Sequence, residues 1–134
     1  MDWLKIYHQD HKTVLVLLAK FTGNVLDLKA GLSTPHTFVE FREFTDVIKN
    51  VIIPHFQGEE TGLYKQVIET GPSGREFINH MLKEHEKLYV LFEVFTTAVA
   101  NEDTQKIIEI STDLDDMLRR HIMKEEDDLP KFLD

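Results

Sequence analysis

His55-Phe56-Gln57-Gly58-Glu59-Glu60-Thr61-Gly62-Leu63 returns sixty-six residues later as His121-Ile122-Met123-Lys124-Glu125-Glu126-Asp127-Asp128-Leu129. Both copies read histidine, an apolar residue, two variable residues, Glu-Glu, two more variable residues and leucine. On an α-helix, residues four apart point within about 40° of each other and are offset by about 6 Å along the axis. Each copy therefore sets an imidazole and a carboxylate on one face, one turn apart. That is a two-donor claw for a metal ion, and the chain carries it twice.

Helical periodicity extends outward from both copies. The first claw lies in a helix predicted over residues 35–69, whose inward stripe is Phe38, Phe41, Thr45, Ile48, Ile52, His55 and Glu59. Thr34-Pro35 reads as an N-cap with proline at the first helical position. Pro54 cannot bond the Asn50 carbonyl, which predicts a kink or bulge just before the claw. The second claw lies in a helix over residues 104–128, with Ile107, Ile110, Leu114, Met117, Leu118, His121 and Glu125 inward and Pro130 closing it. Asn101-Glu102-Asp103 forms its turn and cap.

Two more helices precede these. Residues 3–28 carry the stripe Leu4, Tyr7, His11, Val14, Leu15, Leu18, Phe21 and Val25, ending at a turn marked by Gly31 and Ser33. Residues 75–100 carry Ile78, Met81, Leu82, His85, Leu88, Tyr89, Phe92, Phe95 and Val99, after the breaker Thr70-Gly71-Pro72-Ser73-Gly74. No stretch alternates with period two. The expected fold is all-α, an antiparallel up-down-up-down four-helix bundle forming a single domain over residues 1–134.

Composition narrows the function. A chain of 134 residues, 42% hydrophobic and 29% charged, suits one globular core. With no cysteine there are no disulfides, iron–sulfur clusters or thiolate zinc sites, so a metal must be held by nitrogen and oxygen. A net charge of −9 argues against nucleic acid as a partner. Neither a glycine-rich phosphate loop nor a Gly-x-Ser-x-Gly elbow is present. No apolar run reaches the roughly 18 residues of a membrane span. Met1-Asp2-Trp3-Leu4 lacks the basic and apolar regions of a signal peptide, so the expected setting is cytoplasmic and away from membranes.

Of the seven histidines, four sit on inward stripes: His11, His55, His85 and His121. In an antiparallel pair, residues equally far from the connecting turn share a height. Counting from the three turns puts all four within roughly one helical turn of a common layer. His80 lies about 140° from its stripe and should face outward. His8 is about 60° off, close enough that a small rotation would make it a seventh ligand. His36, about 28 Å from His55 along one helix, is excluded.

The inward polar set is then His11, His55, Glu59, His85, His121 and Glu125. Burying six such groups unpaired would cost several kcal/mol each, and a metal centre satisfies them together. They are too many for one tetrahedral ion, whereas two ions bridged by both glutamates fit the count. Nitrogen and oxygen donors suit iron or manganese. Glu60, Glu126, Asp127 and Asp128 read as solvated surface charge; Tyr7, Tyr64 and Tyr89 read as core, ahead of the alternative that they hydrogen-bond a metal-bound ligand.

With these residues placed, the chain resembles the hemerythrin-like (HHE cation-binding) domain family. The matching motifs are Asp10-His11, His55-Phe56-x-x-Glu59-Glu60-x-x-Leu63, Glu84-His85 and His121-Ile122-x-Lys124-Glu125-Glu126. The resemblance implies a four-helix bundle with two non-haem iron ions, ahead of manganese or zinc. It also implies dioxygen or another small diatomic ligand as partner. The chain departs from the oxygen-carrying members in two places. They have a second histidine four residues before the position of His85, where this chain has Met81. On the fourth helix they place aspartate five residues after histidine, where this chain has glutamate four after.

Three functions follow. The leading expectation is a di-iron protein that binds dioxygen for sensing, storage or scavenging, rather than an enzyme. The second is an enzyme or repair factor handling nitric oxide, peroxide or iron. The third is a metal-free helical interaction module, for which His55→Ala and His121→Ala would leave metal content unchanged.

Overall fold

The computed structural model describes residues 3–133, with side chains from residue 5 onward. Leu4 of the first stripe lies outside the described side chains. The described residues are helical almost throughout, contain no strand, and form four helices. Helix α1 is Trp3–Lys29. Helix α2 is one rod over residues 35–68, in which α-helical turns alternate with π-helix at Ile48–Ile52 and Glu59–Leu63. Helix α3 is Pro72–Ala100 and α4 is Thr104–Phe132. None of these is long and apolar enough to cross a membrane.

The helix starts follow from local chemistry. Thr34 is extended, Pro35 follows it, and the Thr34 backbone N–H donates to Thr37 Oγ1 at 3.0 Å. Asp103 caps α4 by accepting from the Lys106 N–H at 3.1 Å. Helix α3 begins three residues before the expected Arg75. Gly71 turns the chain at φ +133°, and Pro72, already fixed near helical φ, opens the helix directly. Gly74 then lies in the first turn. A Cβ there would stand 2.2 Å from the Val67 carbonyl oxygen, so only glycine lets the end of α2 pass so close.

Two expectations need correction. Pro130 does not close α4, which continues through it to Phe132. The bond that proline forfeits falls in the final turn, where its loss is small. Phe132 stacks on Phe77 at 5.3 Å and ties that end down. In α2, Phe44 and not Thr45 belongs to the core; the Thr45 hydroxyl instead donates to the Arg42 carbonyl at 2.8 Å.

The irregularity expected at Pro54 is present as π-helix. The Ile53 N–H bonds the Ile48 carbonyl, five residues back, immediately before the proline. A second π turn, with no proline to announce it, joins the Tyr64 N–H to the Glu59 carbonyl.

The core has two apolar parts. The larger is built on Phe21, Phe41, Phe44 and Phe95. Several of their rings meet edge to face, at centroid distances from 5.3 to 6.1 Å. Each such pair is worth about 0.5–1.5 kcal/mol beyond the area it buries. The smaller part gathers Tyr7, Leu63, Tyr64, Val67, Ile78, Met81 and Leu129. A polar layer lies between them: the His85 ring is stacked on Phe56 of the larger part at 3.9 Å and on Tyr64 of the smaller at 5.4 Å.

Candidate metal centre

Each helix sends one histidine into this layer: His11 from α1, His55 from α2, His85 from α3 and His121 from α4. Glu59 and Glu125 join them from the two claws, and none of the six is more than 7% exposed. The structure brings all six together in two groups. The donor atoms of His11, His55, Glu59 and Glu125 lie within 4.8 Å of one another, and so do those of Glu59, His85 and His121. Glu59 belongs to both. Its Oε2 is 3.5 Å from His55 Nε2 and its Oε1 is 3.5 Å from His85 Nε2. Glu125 Oε1 lies between His11 Nε2 at 3.4 Å and His121 Nε2 at 3.2 Å.

The orientation of the imidazoles has a cause that lies between the helices. Every Nδ1 faces a carboxylate on a neighbouring helix. His55 pairs with Asp10 Oδ2 at 3.0 Å, His85 with Glu60 Oε2 at 3.4 Å, His121 with Glu84 Oε1 at 2.8 Å and His11 with Glu126 Oε1 at 2.8 Å. The carboxylates thus come from α1, α2, α3 and α4 in turn, each serving the next helix, and the last returns to the first. This closed ring fixes Nδ1–H as the donor and points each Nε2 into the layer, which is how outer carboxylates orient metal-binding histidines.

Glu60 and Glu126 are therefore partly exposed but more than solvated surface charge. Glu60 also accepts from the Tyr89 hydroxyl at 3.0 Å, and Glu126 also meets His8 Nδ1 at 2.9 Å. Glu84 is held in place by Lys124. The signal was present in the motifs: each inward histidine or claw has an acidic neighbour, in Asp10-His11, Glu59-Glu60, Glu84-His85 and Glu125-Glu126. The pairing across helices is a product of the fold, and no spacing within one helix reveals it.

Three histidines stand outside the cluster. His8 is half exposed and bonded to Glu126, His80 is exposed beside Glu84 and Lys124, and His36 is exposed beside Glu40. The tyrosines are more than packing. Tyr64 donates to Glu125 Oε2 at 2.7 Å, and its hydroxyl is 3.2 Å from His85 Nε2. The Tyr7 ring meets His55 edge-on at 4.4 Å.

Burial and charge divide the titratable groups sharply. Burial and the facing Glu125 charge push Glu59 well above the usual carboxylate range. Burial would raise Glu125 too, but a hydrogen bond from Glu59 and the charge of His121 hold it well below. Burial and the neighbouring His121 push His85 down to about 3. His121, although fully buried, is raised to about 9 by Glu125 and Glu84. Glu84 falls to about 2, because His121 and Lys124 outweigh its own desolvation.

Do these residues fit a metal? His11 Nε2, His55 Nε2 and Glu125 Oε1 are buried with no hydrogen-bond partner among the described residues. A buried polar atom left in that condition costs about 1–3 kcal/mol. All three aim into the layer, and a cation would satisfy them at once. A pocket of about 340 Å³, lined by Tyr7, His11, Glu59, Leu63, Glu125 and Leu129, leads to the same place from the side of His8 and Lys5.

A helical protein with a buried, oriented cluster of histidine and glutamate belongs to the metal-binding proteins. The comparisons agree with that class and make it specific: the profile of the hemerythrin HHE cation binding domain matches residues 2–133. The chain belongs to this family. Neither the comparison with curated proteins nor that with solved structures gives a match.

Proposed function

We propose that this chain is a non-haem di-iron protein that binds dioxygen, for sensing, storage or scavenging. In this reading His11, His55, Glu59, His85, His121 and Glu125 are the protein's ligands to two ions. The helices, joined by turns of a few residues, run as an antiparallel up-down-up-down bundle in a single domain, and the setting is cytoplasmic. One observation carries the proposal. His11 and His55 hold buried Nε2 atoms without a hydrogen bond, and His11 also lines a pocket large enough for a small molecule. Nitrogen and oxygen donors without thiolate suit iron and manganese alike, and family membership favours iron.

Iron, when bound, supplies the electrons that dioxygen needs. The chain supplies the rest. The carboxylate ring holds four imidazoles in their binding orientation before any ion arrives. Phe56, stacked on His85, and Tyr7, Leu63 and Leu129 along the pocket keep the layer poor in water. The test is spectral. The protein is purified under reducing conditions, its metal content measured, and oxygen then admitted. Two iron ions per chain and a charge-transfer band that comes and goes with oxygen are expected. Absence of iron, or of a reversible band, would sink the proposal.

A second reading, an enzyme or repair factor for nitric oxide, peroxide or iron, draws support from the pocket's polar rim of Lys5, His8 and Glu126. Turnover with nitric oxide or peroxide, or irreversible oxidation in air, would favour it. The unpartnered buried donors weigh against a metal-free interaction module.

A further inference from the structure

The donor set is uneven. One half gathers four side chains, His11, His55, Glu59 and Glu125; the other gathers three, Glu59, His85 and His121, with Glu125 Oε1 reaching it only at His121 Nε2, 3.2 Å away. Met81, four residues before His85, is fully buried but offers a soft thioether, a poor partner for an ion held by carboxylates and imidazoles. One further oxygen lies there. The Tyr64 hydroxyl is 3.2 Å from His85 Nε2, 2.7 Å from Glu125 Oε2 and 3.5 Å from Glu59 Oε1. Two donors each about 2.1 Å from one ion lie about 3.0 Å apart at right angles and about 3.4 Å apart at the tetrahedral angle. While it donates a hydrogen bond to Glu125, the Tyr64 hydroxyl thus stands from His85 Nε2 at the distance that two donors of one ion keep. The two histidines of this half do likewise, with their Nε2 atoms 3.0 Å apart.

The placement has a backbone cause. In an unbroken α-helix, Tyr64 would point about 140° away from Glu59, five residues before it. The π turn over Glu59–Leu63 bonds the Tyr64 N–H to the Glu59 carbonyl and so brings residue 64 round above residue 59. Such turns concentrate at functional positions. The matching position on α4, nine residues after His121, is Pro130, which has no donor. Tyr64 thus has no counterpart on α4, and of the four histidines it is His85 that its hydroxyl meets. All three polar atoms around its hydroxyl belong to the cluster, and the ring is almost fully buried.

We infer that Tyr64 is a seventh protein ligand, whose phenol oxygen binds the metal ion of the His85/His121 half. The inference rests on the di-iron reading above. On binding ferric iron, the phenol O–H bond breaks, an iron–oxygen bond forms, and the proton leaves to solvent with those shed by the other ligands. No electron is transferred in that step.

The test is to load the full chain with ferric iron, measure iron per chain, and record the visible and resonance Raman spectra. Tyrosinate bound to ferric iron gives a visible charge-transfer band that enhances the phenolate ring vibrations, and these shift when the protein is grown on ring-deuterated tyrosine. The wild type should show both. Tyr64→Phe, which keeps the ring's volume, should lose them, while Tyr7→Phe and Tyr89→Phe keep them. Iron bound with no tyrosinate signature, or with one that survives Tyr64→Phe, would overturn the inference and leave the di-iron reading standing. A wild type that binds no iron would overturn both. The isotope shift is read on the wild type, so the result does not depend on the variant folding.

Discussion

The imidazoles of His11 and His55 lie with ring centroids 4.9 Å apart, and those of His85 and His121 4.7 Å apart. The sequence around them is repeated, yet the two halves differ. In the first, neither Nε2 atom has a hydrogen bond, and a pocket reaches His11. In the second, the two Nε2 atoms meet at 3.0 Å and Tyr64 closes over them. The claws on α2 and α4 are alike, so the difference arises outside them. Four residues before the histidine, α1 has Tyr7 where α3 has Met81. Nine residues after it, α2 has Tyr64 where α4 has Pro130. A repeated motif thus gives one half reached by a pocket and one half covered by Tyr64, and the chain differs between them at two positions that no claw contains.

The most severe way to break this comparison is to remove what the halves share. Glu59 faces both, so Glu59→Ala should take iron content from two ions per chain towards none. His55→Ala and His121→Ala should each remove one ion, and only His55→Ala should abolish the response to oxygen while the other ion stays. Metal analysis after anaerobic loading, followed by the oxygen spectrum, reads all three. If either histidine variant loses both ions, the halves are one cooperative unit and the comparison fails.

The sequence carried most of the fold, and the reason is physical. Four long stripes at helical spacing, broken by Gly71-Pro72 and by a cap at Asp103, leave little choice of element. The six cluster residues were legible because each sits on a stripe and because turn-to-turn distances set their heights. Orientation was not legible. That Asp10 serves His55 and Glu60 serves His85 depends on which helices are neighbours and on side-chain reach across a gap. The second π turn was hidden as well: nothing in Glu59-Glu60-Thr61-Gly62-Leu63 forbids an α-helix, so core packing took precedence over a role for Tyr64 at the cluster. Pro54, which does forbid a regular bond, announced the first.

The carboxylate ring sharpens the comparison because its logic crosses the helices. Asp10 on α1 orients His55, so Asp10→Asn should weaken the ion of the His11/His55 half. Glu60 lies on α2 beside the first claw but orients His85, so Glu60→Gln should weaken the other half's ion. Loss of such an outer partner costs about 10–100-fold in metal affinity. Stepwise titration with a spectroscopically visible divalent ion, such as cobalt, should show one binding step shifted in each variant, and a different step in each. If Glu60→Gln shifts the same step as Asp10→Asn, the pairing across helices does not govern affinity.

The smallest expected effect concerns how Tyr7 braces the open half. Gly58 and Gly62 both lie in α2 near the first claw, and exchanging a helical glycine for alanine is worth up to about 1 kcal/mol. A Cβ at Gly62 would meet nothing within 4 Å, so Gly62→Ala should gain most of that in urea denaturation of the metal-free protein. A Cβ at Gly58 would stand 3.2 Å from the Tyr7 hydroxyl oxygen, tight enough to move that side chain by a few tenths of an ångström. Tyr7 in turn bears edge-on against His55. Gly58→Ala should therefore gain less stability than Gly62→Ala and slightly weaken the ion of the His11/His55 half, leaving the Tyr64 half unchanged. Equal gains, with both binding steps unmoved, would mean that Tyr7 does not set the position of His55. The openness of that half would then rest on the pocket alone.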